Sequence, residues 1–316
     1  MKPCPFLLVR GLALFLAGAG TAAQAAPFAY VANEKSASIS VIDTASDQRI
    51  ADLPAGSRPR GGASDGKFLY LTDAADGKLL VLDLKRQRVV RKIALGDSPE
   101  GLGISADGRL LAAAVEDDNS VVLLDSRRGK VLARIKVEGR NPEHAVFSPD
   151  GRWLYVSAEE AQQVDVIDVA LRRQTGSIPV GKRPRGIVFV GDGHRAYVAC
   201  ELANTVYAID AVSHRVEAEI KAGNFPNGLA AHPDGKTVFV SNGRDASVMA
   251  IDTATNTLKA TIGVGKRPWN MALTPDGSKL YVANGRADSV SVIDTASLRR
   301  IADIGVGTLP WGVVIP

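Results

Sequence analysis

Seven prolines in this chain are each followed by a residue whose type could do chemistry. In chain order these residues are Arg60, Glu100, Glu143, Arg185, Asn227, Trp269 and Trp311. The next position is glycine except at His144 and Asn270. Gathered around one opening, the seven would set two carboxylates side by side, an arginine on each flank and two tryptophans opposite. Arginine grips carboxylate or phosphate through paired charge-assisted bonds, and tryptophan stacks on planar groups. The set predicts capture of a small anionic aromatic ligand, with Arg60, Glu100, Glu143, His144, Arg185, Asn227, Trp269, Asn270 and Trp311 as the binding residues. The competing reading is a solvated rim of mutually paired charges, with the tryptophans plugging the opening. Histidine and asparagine also tolerate positive φ better than most residues, so backbone conformation alone could account for His144 and Asn270.

Little in the sequence points to turnover. His144 adjoins Glu143 and could serve as a base or metal ligand, but it is the only histidine of the ring, and no nucleophile stands at a recognisable spacing from its partners. No catalytic residue, metal site or required cofactor is assigned. Acidic loops at Asp73, Glu116-Asp117-Asp118, Glu159-Glu160 and Glu201 read as solvated, with a hard cation at Glu116–Asp118 as the alternative. Basic pairs such as Lys85-Arg86, Arg127-Arg128 and Arg172-Arg173 read as solubilising loop charge, with an acidic partner or anionic lipid as the alternative.

The elements that must position the ring are written as a repeat. Gly-x-x-Pro stands at Gly56/Pro59, Gly96/Pro99, Gly139/Pro142, Gly181/Pro184, Gly223/Pro226, Gly265/Pro268 and Gly307/Pro310. An aspartate closing an apolar run keeps step with it at Asp43, Asp83, Asp125, Asp168, Asp210, Asp252 and Asp294. Asp-Gly recurs six times, from Asp65-Gly66 to Asp276-Gly277. A period near 42 residues suits a propeller blade. In the last full repeat the four strands read Met271–Thr274, Lys279–Ala283, Ser289–Ile293 and Arg300–Ile304. Asp-Gly predicts the first hairpin, with both turn residues at positive φ. Each closing aspartate is expected to bond the backbone of the turn after it. Phe28–Asn33 is already a second strand, and Trp311–Ile315 is a first strand without a blade. The C-terminus must therefore complete blade one and close an all-β, seven-bladed propeller of four antiparallel strands per blade.

Residues 1–25 read as a signal peptide. Lys2 and Arg10 precede or enter an apolar run too short to span a bilayer, and Ala23-Gln24-Ala25 is an A-x-A cleavage site. Residues 26–316 are then the propeller, exported to the periplasm, with no membrane span. Loss of Lys2 and Arg10 lowers the formal net charge from +4 to about +2, and no aromatics interleave with the basic pairs, so a nucleic-acid partner is not expected. Cys200 alone remains, read as a buried inert thiol. No Cys-x-x-Cys-His occurs, so covalent c-type haem is excluded.

Tyr30-Val31-Ala32-Asn33, Tyr281-Val282-Ala283-Asn284, Ser148-Pro149-Asp150-Gly151 and the run Ser289 to Thr295 resemble the YVTN family of β-propeller repeats. Taken whole, the chain is most similar to the β-propeller proteins associated with pyrroloquinoline-quinone (PQQ) dependent catabolism. That resemblance implies a monomeric, non-enzymatic periplasmic accessory of an alcohol-oxidation system, with a quinoprotein or transport component as partner and PQQ as a candidate ligand. A lactonase-like hydrolase and an envelope protein–protein scaffold are the alternatives. Export has a direct check: mass spectrometry of secreted material is expected to find the chain starting at Ala26 or Pro27, and an intact 1–25 segment there would overturn it.

Overall fold

The computed structural model describes Met1 and residues 27–316, so the predicted signal segment lies almost wholly outside the described residues. Twenty-eight strands form seven four-stranded antiparallel sheets. In blade seven the strands are Pro268–Leu273, Lys279–Asn284, Ser289–Asp294 and Arg299–Gly305, innermost to outermost. Each first strand is extended back to its proline, whose fixed φ suits a strand start and whose missing N–H is needed by no ladder there. Blade one is composite. The C-terminal strand Pro310–Val314 pairs antiparallel with Phe28–Asn33 in the register Tyr30↔Val314, Val31↔Val313 and Ala32↔Gly312.

Strand composition explains the packing. Second and third strands are buried on both faces and read as near-continuous apolar runs, whereas fourth strands alternate and expose one face. The core lies between blades. One cluster joins Tyr155, Val164 and Val166 of blade four to Ile187, Ala196 and Val198 of blade five. Tyr155, Tyr197 and Tyr281 stand at the same place in their second strands, fully buried. Each hydroxyl reaches the loop after the third strand of the next blade. Tyr155 meets Nδ1 of His214 at 2.7 Å, Tyr197 donates to Asn256 at 2.6 Å, and Tyr281 donates to Asp47. The receiving residues all hold positive φ of 55–56°, a conformation that Asn, Asp and His accept more readily than others. His214, a loop residue in the sequence, is thereby part of a blade-to-blade lock.

All seven closing aspartates bond the turn that follows, as in Asp125 accepting from the Arg128 amide at 2.7 Å and Asp294 from Ser297 at 2.8 Å. The Asp-Gly turns depart from expectation. Only the glycine is at positive φ, 69° at Gly108 and 75° at Gly277. The Gly108 amide donates back to Ser105 at 2.8 Å while the Asp107 carboxylate accepts from the Arg109 amide at 3.0 Å. The loop is longer than a two-residue hairpin, and the aspartate side chain supplies the turn contact that a second left-handed residue would otherwise provide.

Besides the terminal strand, closure across the ends of the sequence uses Asp47, which binds both Tyr281 and Lys279 Nζ, the latter at 2.7 Å. Deleting Trp311–Pro316 strips blade one of its inner strand and bares two edges. The expected result is aggregation or a large loss of melting temperature; an unchanged thermal transition would refute the closure.

Candidate functional site at the channel mouth

The mouth is built by one backbone hydrogen bond used in every blade. The carbonyl of the residue before the proline accepts from the amide of the residue just past the second strand. Examples are Arg183 O from Glu201 N at 2.8 Å, Asn141 O from Glu159 N at 3.0 Å, and Leu309 O from Glu34 N at 2.9 Å. Ser98, Asn141, Arg183, Phe225, Arg267 and Leu309, all before prolines, hold φ of 54–60°. This geometry brings together the residues before and after the proline and the residue after the second strand, the last being glycine, Gly243 and Gly285, in blades six and seven.

The glycines that follow the ring residues were expected to serve a positive φ, with His144 and Asn270 as tolerated exceptions. None of these positions is left-handed. Glycine is required by space instead: a Cβ at Gly61 would lie 2.3 Å from the Glu100 carbonyl oxygen, and one at Gly101 2.5 Å from that of Glu143. The inner strands approach so closely that backbone touches backbone around the axis.

Arginine and glutamate fill the wide side of the mouth. Arg185 reaches Glu143 at 2.7 Å, Glu201 at 3.0 Å, and Glu159. Arg183 bridges Glu159 and Glu201 at 3.2 and 3.3 Å, and Arg267 meets Glu201 at 2.7 Å. Across the ring, Arg60 pairs with Glu100 and, at 3.2 Å, with Glu34, which Arg58 also holds at 2.8 Å. Glu100 and Glu201 are wholly buried. Ser98 donates to Glu100 and Glu116, and Asn141 donates to Glu116 at 2.7 Å. Six carboxylates thus meet five guanidiniums, with Glu100, Glu143 and Glu201 buried and Arg58 and Arg183 partly open to solvent. Burial and the charge of Glu143 push Glu100 from its ordinary 4.5 up to about 8, against the opposing pull of Arg60. The same causes push Glu159 up to about 7, opposed by Arg185 and Arg183. Burial is the largest single influence on Glu143 and acts against its ionised form, but Arg185, His144, Arg60 and Arg183 together hold that carboxyl below its ordinary range. Burial lowers His144, opposed by Glu143.

The structure brings Arg60, Glu143, Arg185, Asn227, Trp269, Asn270 and Trp311 around one cavity of about 100 Å³, joined by Glu34 and Arg267. Glu100 sits behind Arg60. His144 lines a second cavity, about 150 Å³, deeper in the channel, where its Nδ1 and the Nε of Arg60 are buried without partners. The tryptophans do not face each other as a two-sided clamp. Trp311 stacks on His144, with centroids 5.7 Å apart and planes 23° apart, and Asn270 donates to the Trp311 carbonyl at 3.3 Å. Trp269 lies over Gly285, where a Cβ would come within 2.5 Å of its ring.

Sequence reasoning missed Glu34, Arg58, Arg183 and Arg267, and it took Glu116, Glu159 and Glu201 for solvated loop acids. A signal was available: Glu34, Glu116, Glu159 and Glu201 each stand immediately after a second strand, in the same register. Cys200 is fully buried, and burial pushes its thiol up to about 12. Among the described residues no cluster of acids, histidines or cysteines could hold a metal ion, and no helix is long and apolar enough to cross a membrane.

Two families match in part: the seven-bladed β-propeller lactonases over residues 171–300, and the cytochrome D1 haem domain over residues 25–116. Protein NirF of Stutzerimonas stutzeri is 26% identical over 174 residues, covering 48% of this chain and 44% of that protein. The chain spans less than half the length of the curated relatives it matches. Among solved structures, Kuenenia stuttgartiensis hydrazine synthase superposes with a TM-score of 0.77 at 24% identity, covering 84% of this chain and 92% of that one. Dihydro-haem d1 dehydrogenase NirN in complex with DHE gives 0.68 at 18% identity, covering 92% and 75%. These likenesses show the propeller fold.

The buried acids make stability pH-dependent. Between pH 6.5 and 8, folded Glu100, with its pKa near 8, keeps a proton that the unfolded chain has lost, so stability falls as pH rises. His144, lowered from 6.5, works the other way only below that window. One retained proton gives a slope of at most about 1.4 kcal/mol per pH unit. Chemical denaturation across the window is expected to show this fall in the wild type and a flatter profile in Glu100→Gln; identical profiles would remove Glu100 as the source.

Proposed function

We propose that this chain is a periplasmic, non-enzymatic binding protein that takes a small ligand at the channel mouth and serves a PQQ-dependent oxidation system, with a quinoprotein or transport component as its partner. One observation carries the binding reading: a convergent cavity at the mouth joins an amide and tryptophan sector, Asn227, Trp269, Asn270 and Trp311, to the ends of Arg60, Arg185 and Arg267. The charged sector is self-neutralised and rigid. A ligand group entering beside it finds fixed guanidinium edges already oriented by Glu34, Glu143 and Glu201. A cavity of about 100 Å³ is below the 300–1,000 Å³ of pockets that enclose a drug-sized molecule. It suits one polar arm of a ligand whose planar body rests on the half-buried Trp269 at the rim. PQQ, a planar tricarboxylate, has both parts, and the assignment to its oxidation system rests on the sequence resemblance.

A second reading, lactone hydrolysis, draws support from the partial lactonase match and from two carboxyls, Glu100 and Glu159, with pKa values near neutrality beside arginines. General acids are tuned in this way. Against it, no hydroxyl or thiol at the mouth is paired with His144.

Titration with PQQ, followed by tryptophan fluorescence, is expected to give saturable quenching that is lost in Trp269→Ala and weakened about tenfold in Arg60→Ala, the cost of one charge-assisted contact. Quenching unaltered in both variants, or absent from the wild type, would overturn the binding site. Assays on simple lactones are expected to show no turnover. Hydrolysis that vanishes in His144→Ala would establish the second reading.

A further inference from the structure

The top face holds another cavity, about 450 Å³, on the outer rim between blades six and seven. Its charged lining is Arg244, Lys266, Arg267 and Arg286, with Phe225 as its aromatic wall and no carboxylate among the lining residues. Arg267 is the only one of the four that forms an ion pair among the described residues, with Glu201. Arg244, Lys266 and Arg286 are exposed. The nearest sequence acid, Asp245, is occupied: it accepts from the Asn224 amide at 2.6 Å and from the Asn224 side chain at 2.8 Å. The Arg244 guanidinium lies 3.9 Å from the Phe225 ring centroid and that of Arg267 5.3 Å. The Nε of Arg267 is buried without a hydrogen-bond partner.

These facts describe an uncompensated positive concavity. At the mouth every guanidinium reaches a carboxylate; a few residues outward, of four cations only Arg267 does, at Glu201. Like charges held together repel, and stacking on Phe225 offsets that cost without cancelling the charge. Gly243 keeps the floor open, since a Cβ there would press on the Arg267 side chain at 3.3 Å. The volume lies within the range of sites that enclose small ligands.

We propose that this rim pocket binds a compact polyanion, a molecule carrying two or three carboxylate or phosphate groups, held by Arg244, Lys266 and Arg286, with Arg267 as the link to the channel mouth. The inference rests on the binding reading above for its choice of face, and on the rim's own chemistry for the ligand class. Guanidinium forks match carboxylate and phosphate alike, so the two sources are separated by experiment.

The mature protein would be titrated by calorimetry with pyrophosphate and with benzene-1,3,5-tricarboxylate, at low and at high salt. Binding of at least one probe is expected, weakening as salt rises. Arg244→Ala/Arg286→Ala is expected to weaken it by about tenfold or more, and the charge reversal Lys266→Glu to do the same. Both arginines are exposed, so the double variant keeps the wild-type melting temperature. Stronger binding of the tricarboxylate assigns the pocket to planar polycarboxylates, and stronger binding of pyrophosphate to phosphorylated ligands. Binding of neither probe by the wild type overturns the proposal, as does a double variant that binds like wild type. Binding lost in Trp269→Ala but kept in the double variant leaves the mouth reading standing and removes the rim.

Discussion

Six glutamates, most of them buried, and five arginines crowd the channel mouth, and their mutual neutralisation is the condition on which the top face depends. An ionised carboxylate alone in such a place would cost several kcal/mol. Five are there because a guanidinium reaches them and Glu116 because Ser98 and Asn141 donate to it, and the guanidiniums stay because carboxylates surround them. The numbers do not balance. One acid more than base is left, and the structure answers with carboxyls near neutrality, Glu100 at about 8 and Glu159 at about 7. The surplus acid is felt through a network in which Glu143 raises Glu100, Glu116 and Glu159 alike.

That condition sorts the top face by what remains free. Arginines committed to Glu143, Glu159 and Glu201 take a further anion only by sharing those contacts, and the raised pKa values of Glu100 and Glu159 offset the surplus acid. The Asn227, Asn270 and tryptophan sector of the mouth cavity adds hydrogen bonding and stacking for the rest of a ligand. Anionic groups suit the rim beside Phe225, where the imbalance has the opposite sign. Arg267 lines both cavities and is the only side chain common to them. A ligand with one polar arm and one anionic arm could touch both.

Most of the architecture was legible because it is repeated. Strand, turn and closure signals recur in register, and each recurrence corroborates the others, which is why a chain beginning on a second strand could be matched to a C-terminus ending on a first. The seven post-proline residues were legible for the same reason. The charge pairing was not. Glu159 and Glu201 stand in loops rich in polar residues, and composition there says solvent. What buries them is the Asn141 or Arg183 carbonyl that captures their amide and turns the side chain inward. Such a contact depends on the left-handed pre-proline residue, a conformation that sequence did not announce for Arg183 or Phe225. The glycines misled for a related reason. Glycine is equally the residue of positive φ and of close approach, and only the 2.3 Å gap at Gly61 decides between them.

The contrast between blade and mouth follows from where symmetry can be tolerated. Between blades, every interface must solve the same packing problem, so Tyr155, Tyr197 and Tyr281 solve it in the same way with whatever acceptor the next blade offers. On the axis the demand is reversed. Seven identical arginines, or seven glutamates, would meet at one point with nothing to neutralise them. A closed ring of this size can place ionisable groups at its centre only by making the repeats unlike one another there. At the post-proline position blades two to five carry charge, and blades six, seven and one carry amide and aromatic residues. Asymmetry at the axis is thus a physical requirement before it is evidence of function. What exceeds the requirement is the rim of blades six and seven, where Arg244, Lys266 and Arg286 gather beside Arg267 without an ion-pair partner of their own among the described residues, a charge that an anion from outside the chain would balance.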